Sequence, residues 1–156
     1  MRTGTRYVTR FIVVAVDTNL LVYAHRTEMP FHAAARALIE SLAAATAPWA
    51  IPWPCVHEFA AIVTNARIFK TPTSIEGAMK QIGALAAVPH VVFLAEGDGY
   101  LSQFEQLAVA AQTRGGMVHD ARIAAICRHH GVSELWTADR DFSRFASLRA
   151  RNPLIS

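Results

Sequence analysis

Only two cysteines, Cys55 and Cys127, occur among the 156 residues, and both sit among apolar neighbours in helical patterns. The two are not at metal-ligand spacing, so both are expected to be reduced core residues in a reducing compartment. The seven histidines show no HExxH or comparable spacing, and His129-His130 reads as a dipole-complementing helix end rather than a ligand pair. No apolar run approaches the ~20 residues that cross a bilayer. Arg2, Arg6 and Arg10 ahead of an apolar run imitate a secretion signal, but that run is short, leads straight into Asp17 and lacks a small-residue cleavage pattern. A cytoplasmic protein with no membrane partner is expected. Internal repeats and low-complexity linkers are missing too, and the length suits one domain over residues 11–156, preceded by a basic arm, residues 1–10, expected to lack fixed structure.

Lysine is also scarce: thirteen of the fifteen basic residues are arginine, whose planar fork matches phosphate. If five of the twelve acids share one site, seven remain elsewhere against 15 basic residues. A basic surface around an acidic pit fits a nucleic-acid substrate. What the chain has in excess is apolar surface. A hydrophobic content of 53% and a mean hydropathy of +0.24 point to a sheet buried on both faces, with an apolar patch left for a partner or a second copy.

The stretch FIVVAVDTN, Phe11 to Asn19, organises the rest. Six consecutive apolar residues, Phe11 to Val16, four of them Val or Ile, are too short for a typical helix and predict a strand covered on both faces. The run stops at Asp17, where the carboxyl end of a central strand meets the crevice in which open α/β sheets do their chemistry. Asp17 would also make a good helix cap. Further along, strands are predicted at Trp49 to Pro52, Val91 to Leu94, Leu135 to Ala138 and, as an edge, Leu148 to Arg151. Helical spacing marks a short turn at Leu20 to Ala24 and longer helices over Pro30 to Ala45, Pro54 to Ala66, Ser74 to Ala87, Tyr100 to Thr113 and His119 to His130. A short turn follows at Phe142 to Phe145. The alternation argues a three-layer α/β domain with a mainly parallel sheet.

Four more acids draw notice by their company. Glu58 shares a helix face with Cys55 and Ile62 and adjoins Phe59; Asp120 has Ile123, Ala124 and Cys127 at helical spacing. Asp139 follows a strand as Asp17 does, with Asp141 two residues on. Each has a structural explanation, as a cap or as dipole compensation. Together they read as a convergent cluster, and clustered carboxylates are tolerable mainly around a cation. An all-oxygen set suits Mg²⁺, or Mn²⁺ as its substitute.

The order DTN (Asp17 to Asn19), CVHEF (Cys55 to Phe59), HDARIAAI (His119 to Ile126) and LWTADRDF (Leu135 to Phe142) resembles the PIN-domain family, in particular the VapC toxins of bacterial VapBC pairs, with mycobacterial-type features in FSRF and NPL. The resemblance extends from about Val16 to Leu154. It implies a metal-dependent endoribonuclease with a sheet of about five strands in the order 3-2-1-4-5, a homodimer, and inhibition by a VapB-like antitoxin. By residue match it implies an acidic quartet of Asp17, Glu58, Asp120 and Asp139, with metal held by Asp17, Asp120 and Asp139. Asp141 would be an auxiliary acid, and Thr18, Asn19 and Thr137 supporting polar groups. Arg122 and Arg140, the arginines nearest the acids in sequence, are candidates for RNA phosphates. The chain departs from the pattern by its basic prefix and by Ala146-Ser147 where Pro-Gly is common.

Rival readings fit less well. A phosphoacceptor receiver domain needs an acidic pair after its first strand and a late Lys, but Asp17 is flanked by Val16 and Thr18, and Lys70 and Lys80 lie near no late strand. A dehalogenase-type phosphatase needs Asp-x-Asp, and Asn19 replaces the second acid. A non-catalytic RNA- or antitoxin-binding module would be favoured by loss of an acid, and all are present.

Overall fold

The computed structural model describes residues 11–155, so the expectation of an unstructured basic arm at residues 1–10 lies outside the described residues. Five parallel strands form one sheet: β1 (Val14–Val16), β2 (Trp49–Pro52), β3 (Val91–Leu94), β4 (Glu134–Trp136) and β5 (Ala150–Arg151), in the order β3-β2-β1-β4-β5. Six helices flank it: α1 (Thr18–His25), α2 (His32–Ala44), α3 (Trp53–Val63), α4 (Ile75–Ala86), α5 (Tyr100–Ala110) and α6 (Met117–His129). The predicted fold class and strand order hold.

Val14, Ala15 and Val16 are buried on both faces, as a central parallel strand requires. The strand is nevertheless half as long as its apolar run. Phe11 and Val13 are 77% and 49% exposed, because β2 begins only at Trp49, opposite Val14, and leaves the earlier residues without a neighbour on that side. On the other side Ile12 and Val13 carbonyls still accept from Ser133 and Glu134 at 3.3 and 2.8 Å. The short turn expected at Leu20 to Ala24 is longer in the structure: α1 is an eight-residue helix, capped by Asp17 and burying Leu20, Leu21 and Val22. Helix α6 also starts two residues early, at Met117, directly after Gly116. Ala146-Ser147 make a turn without Pro-Gly, closed by Leu148 N donating to the Phe145 carbonyl at 2.9 Å.

Cys55 and Cys127 are free and buried in the core, as expected. Arg26, after α1, holds the connection between α3 and α4. Its guanidinium donates to the Thr71 carbonyl and the Thr73 hydroxyl at 2.7 and 2.9 Å, lies 4.3 Å over the Phe69 ring and pairs with Glu28. Among the described residues no helix is long and apolar enough to cross a membrane.

The strand order reverses direction at β1, whose two neighbours, β2 and β4, lead to opposite edges. That reversal opens a crevice at the carboxyl ends of β1 and β4.

Candidate active site

Asp17 stands at this reversal, directly after β1, and is 4% exposed. Four donors surround it. Oδ1 accepts from the Thr18 amide at 2.8 Å and the Cys55 thiol at 3.5 Å; Oδ2 accepts from the Thr137 hydroxyl at 2.7 Å and the Asn19 amide at 3.5 Å. Burial raises its pKa, and the bonds from Thr137, Thr18 and Cys55 oppose that rise. Burial, then the neighbouring Asp17, pushes the Cys55 thiol well up, so it remains a protonated donor. The helix cap and the acid at the strand end are thus one residue: Asp17 caps α1 from the carboxyl end of β1.

Thr137, 3% exposed, links the crevice walls. Its hydroxyl donates to Asp17 and accepts from Asn19 Nδ2 at 3.2 Å and the Asp139 amide at 3.0 Å, while Asn19 Oδ1 accepts from the Ala138 amide at 3.1 Å. Thr18 donates its hydroxyl to Glu58 Oε2 at 3.0 Å. The three supporting polar residues therefore touch the acids directly. Thr137→Val keeps the shape but strands these partners, which costs about 1–3 kcal/mol. A fall in melting temperature of at least ~2 °C is expected in thermal denaturation. An unchanged melting curve would mean that the hydroxyl carries no structural weight.

Asp120, in the first turn of α6, Asp139 and Asp141 each offer a carboxylate oxygen, and the three atoms lie within 4.8 Å of one another. Burial, followed by the charges of Asp139, Asp17, Glu58 and Asp141, pushes Asp120 up to about 6. All five acids singled out in the sequence therefore converge. Their arrangement differs from the expected one in two ways. Asp141, expected as auxiliary, joins the tight cluster, because Asp139 Oδ1 caps a 3₁₀ turn over Arg140–Arg144 by accepting from the Asp141 amide at 2.8 Å and so folds Asp141 back beside it. Asp17, expected as a metal ligand, lies deeper, joined to Asp139 through Thr137 and absent from the three-acid group. The cluster is all oxygen, a donor set that could hold a hard divalent cation.

Two openings flank the acids. A cavity of about 360 Å³ is walled by Pro54, His57, Glu58, His119, Asp120 and Arg122. Glu58 is exposed here, at the rim, rather than turned into the core as its apolar helical neighbours suggested; Cys55 and Phe59 are the buried members of that face. Arg122 is brought to the pit but paired with Glu96 through its Nε. With both partners about a third or more exposed, such a pair is worth at most about 1 kcal/mol and yields readily to a phosphate. The second cavity, about 340 Å³, holds Thr137, Asp139, Arg140 and also Arg151 and Asn152. Sequence reasoning missed Arg151 and His57. Arg151 reaches the site only through the pairing of β5 with β4, and His57 could have been found from its place beside Glu58 on α3.

A PIN-domain family model matches residues 14–148. Ribonuclease VapC43 of Mycobacterium tuberculosis is 39% identical over 142 residues, covering 91% of this chain and 96% of its own length. Ribonuclease VapC48 of the same species is 32% identical over 137 residues, covering 88% and 94%. Among solved structures, VapBC2 from Rickettsia felis, bound to a DNA fragment from its promoter, superposes with a TM-score of 0.66 at 17% identity over 90% of this chain and 98% of that one. Mycobacterium tuberculosis VapC20, described as a sarcin-ricin loop cleaving toxin, superposes with a TM-score of 0.59 at 18% identity, covering 83% and 92%. With its acids gathered at the reversal of a 3-2-1-4-5 sheet and most of its length matched, the chain belongs to the PIN-domain family, among its VapC-type members.

Proposed function

We propose that this protein is a metal-dependent endoribonuclease, the toxin of a type II toxin–antitoxin pair, and that it hydrolyses RNA phosphodiesters to 5′-phosphate and 3′-hydroxyl ends. The observation that carries this reading is the convergence of Asp17, Glu58, Asp120, Asp139 and Asp141, with three of their oxygens within 4.8 Å. Curated relatives named ribonucleases support the substrate class. Asp120, Asp139 and Asp141 would hold Mg²⁺ or Mn²⁺, with Asp17 adding its charge from below. When bound, such an ion supplies a Lewis acid for a phosphate oxygen and lowers the pKa of a water. Glu58, exposed and steadied by the Thr18 hydroxyl, is suited to orient the attacking water and accept its proton. Arg122 and Arg140, one at each opening, bind flanking phosphates and make affinity fall steeply with salt. A homodimer in the cytoplasm, bound by a VapB-like antitoxin, completes the reading; for the antitoxin alone there is support in the VapBC assembly from Rickettsia felis.

The test is incubation with total RNA in Mg²⁺, followed by sequencing of the new ends. Ligatable 5′-phosphate ends that vanish in chelator are expected. Cutting that persists in chelator, or 2′,3′-cyclic phosphate ends, would exclude attack by water at a metal site.

A further inference from the structure

Three rings lead from the edge of the sheet to the carboxylate pit. Phe93 on β3 stacks on Trp53 with centroids 4.8 Å apart and planes 28° apart, and Trp53 stacks on His57 at 6.2 Å and 22°. Trp53 is the first residue of α3, His57 lies one turn on, and Glu58 follows it, so the helix presents ring and carboxylate side by side. Phe93 is half-buried and supports the stack from within; Trp53 is 39% exposed and His57 is exposed. The His57 ring walls the same cavity as Glu58 and Asp120, with Arg122 alongside. The proposed hydrolysis gives none of these rings a role.

We propose that Trp53 and His57 form a stacking subsite for an unpaired nucleotide base adjoining the phosphate that the acids attack. The proposal rests on the ribonuclease reading and adds to it a substrate requirement: the RNA must be single-stranded or looped there, since a paired base cannot offer its face. Aromatic rings beside arginine are the usual means of holding such bases, and stacking tolerates any base because every base has a π-face. A second protein fits the ledge less well. It runs directly into a cavity walled by Glu58, His119, Asp120 and Arg122, and interface cores are depleted of such charged groups.

The test uses the full chain in chelator, and again in Ca²⁺, with labelled unstructured RNA oligonucleotides in which a single abasic position is walked along the strand. One position should weaken binding by about 10-fold or more when its base is removed. His57→Ala and Trp53→Leu should each weaken binding of intact RNA by a similar factor and become indifferent to that abasic position, whereas Trp53→Phe should retain most of the affinity. Light scattering accompanies each variant. If Trp53→Leu and His57→Ala keep wild-type sensitivity at every position while the wild type binds and cuts RNA, the subsite is refuted and the ribonuclease reading stands. If they lose affinity equally for all oligonucleotides and fall to a smaller assembly, a second copy covers the ledge and the subsite is equally refuted. A wild type that neither binds nor cuts any RNA removes the proposal together with the function beneath it.

Discussion

Asp120→Asn and Asp139→Asn should each reduce RNA cleavage by at least ~10²-fold, the scale on which removal of one preorganised electrostatic partner lowers a rate. Both substitutions keep the side chain's shape and remove a charge from the three-acid cluster. Asp120 is governed by burial and by neighbouring carboxylates, so its amide form should relieve repulsion and leave the fold intact. Asp17→Asn is a less clean probe. Whichever oxygen becomes the amide nitrogen, its two hydrogens would face a pair of donors, the Thr18 N–H and Cys55 thiol on one side or the Thr137 hydroxyl and Asn19 amide on the other, so activity and stability should fall together. RNA affinity, measured by fluorescence anisotropy, should survive in Asp120→Asn because the arginines at both openings remain. Cleavage by this variant at the wild-type rate would show that the cluster is not the reaction centre.

Divalent metal should raise the melting temperature by roughly 5–10 °C at a hundred times its dissociation constant, since that saturation contributes about 2.7 kcal/mol and a domain of this size shifts by about 2–4 °C per kcal/mol. The pH dependence in chelator carries the complementary signal. Asp120 is raised from 3.8 to about 6 in the folded protein, so folding favours its protonated form. Its contribution is most favourable at low pH, declines as pH rises between those two values, and is lost above the higher one. Raising the pH from about 5 to about 7 should therefore lower the melting temperature of the chelated wild type relative to that of Asp120→Asn, and metal should close the gap. Coincident curves for the two proteins, in chelator and in Mn²⁺ alike, would mean that the acids do not act on one another.

The sheet was legible because burial on both faces leaves an unbroken apolar run rich in β-branched residues, and Val14 to Val16 carry that signature even though Phe11 and Val13 do not share the burial. The acids were legible because a carboxylate next to an apolar helix face or at the end of an apolar strand has few bland explanations in combination. Their depths were not. Asp17 and Asp139 occupy equivalent places after β1 and β4, yet Asp17 is buried and Asp139 is half-buried, because α1 folds directly over the first while a 3₁₀ turn projects beyond the second. The rank of Asp141 depended on that turn, which a short window of sequence marks only as a turn. The ring stack was invisible for a different reason: Phe93 meets Trp53 through the pairing of β2 with β3, a contact between residues far apart in the chain.

The hydroxyl of Thr137 reaches Asp17 across 120 positions of sequence. During synthesis, at about 5–20 residues per second, the first strand and its carboxylate exist for seconds before the residue that orders them has been made. No shorter nascent chain can assemble the pit, because β1 gains its β4 neighbour only when residues 134–136 are available and the cluster closes only with Asp139 and Asp141. A polypeptide that stops short of β4 therefore carries Asp17, Glu58 and Asp120 without the residues that order and crowd them, and the pit is a property of the completed sheet alone.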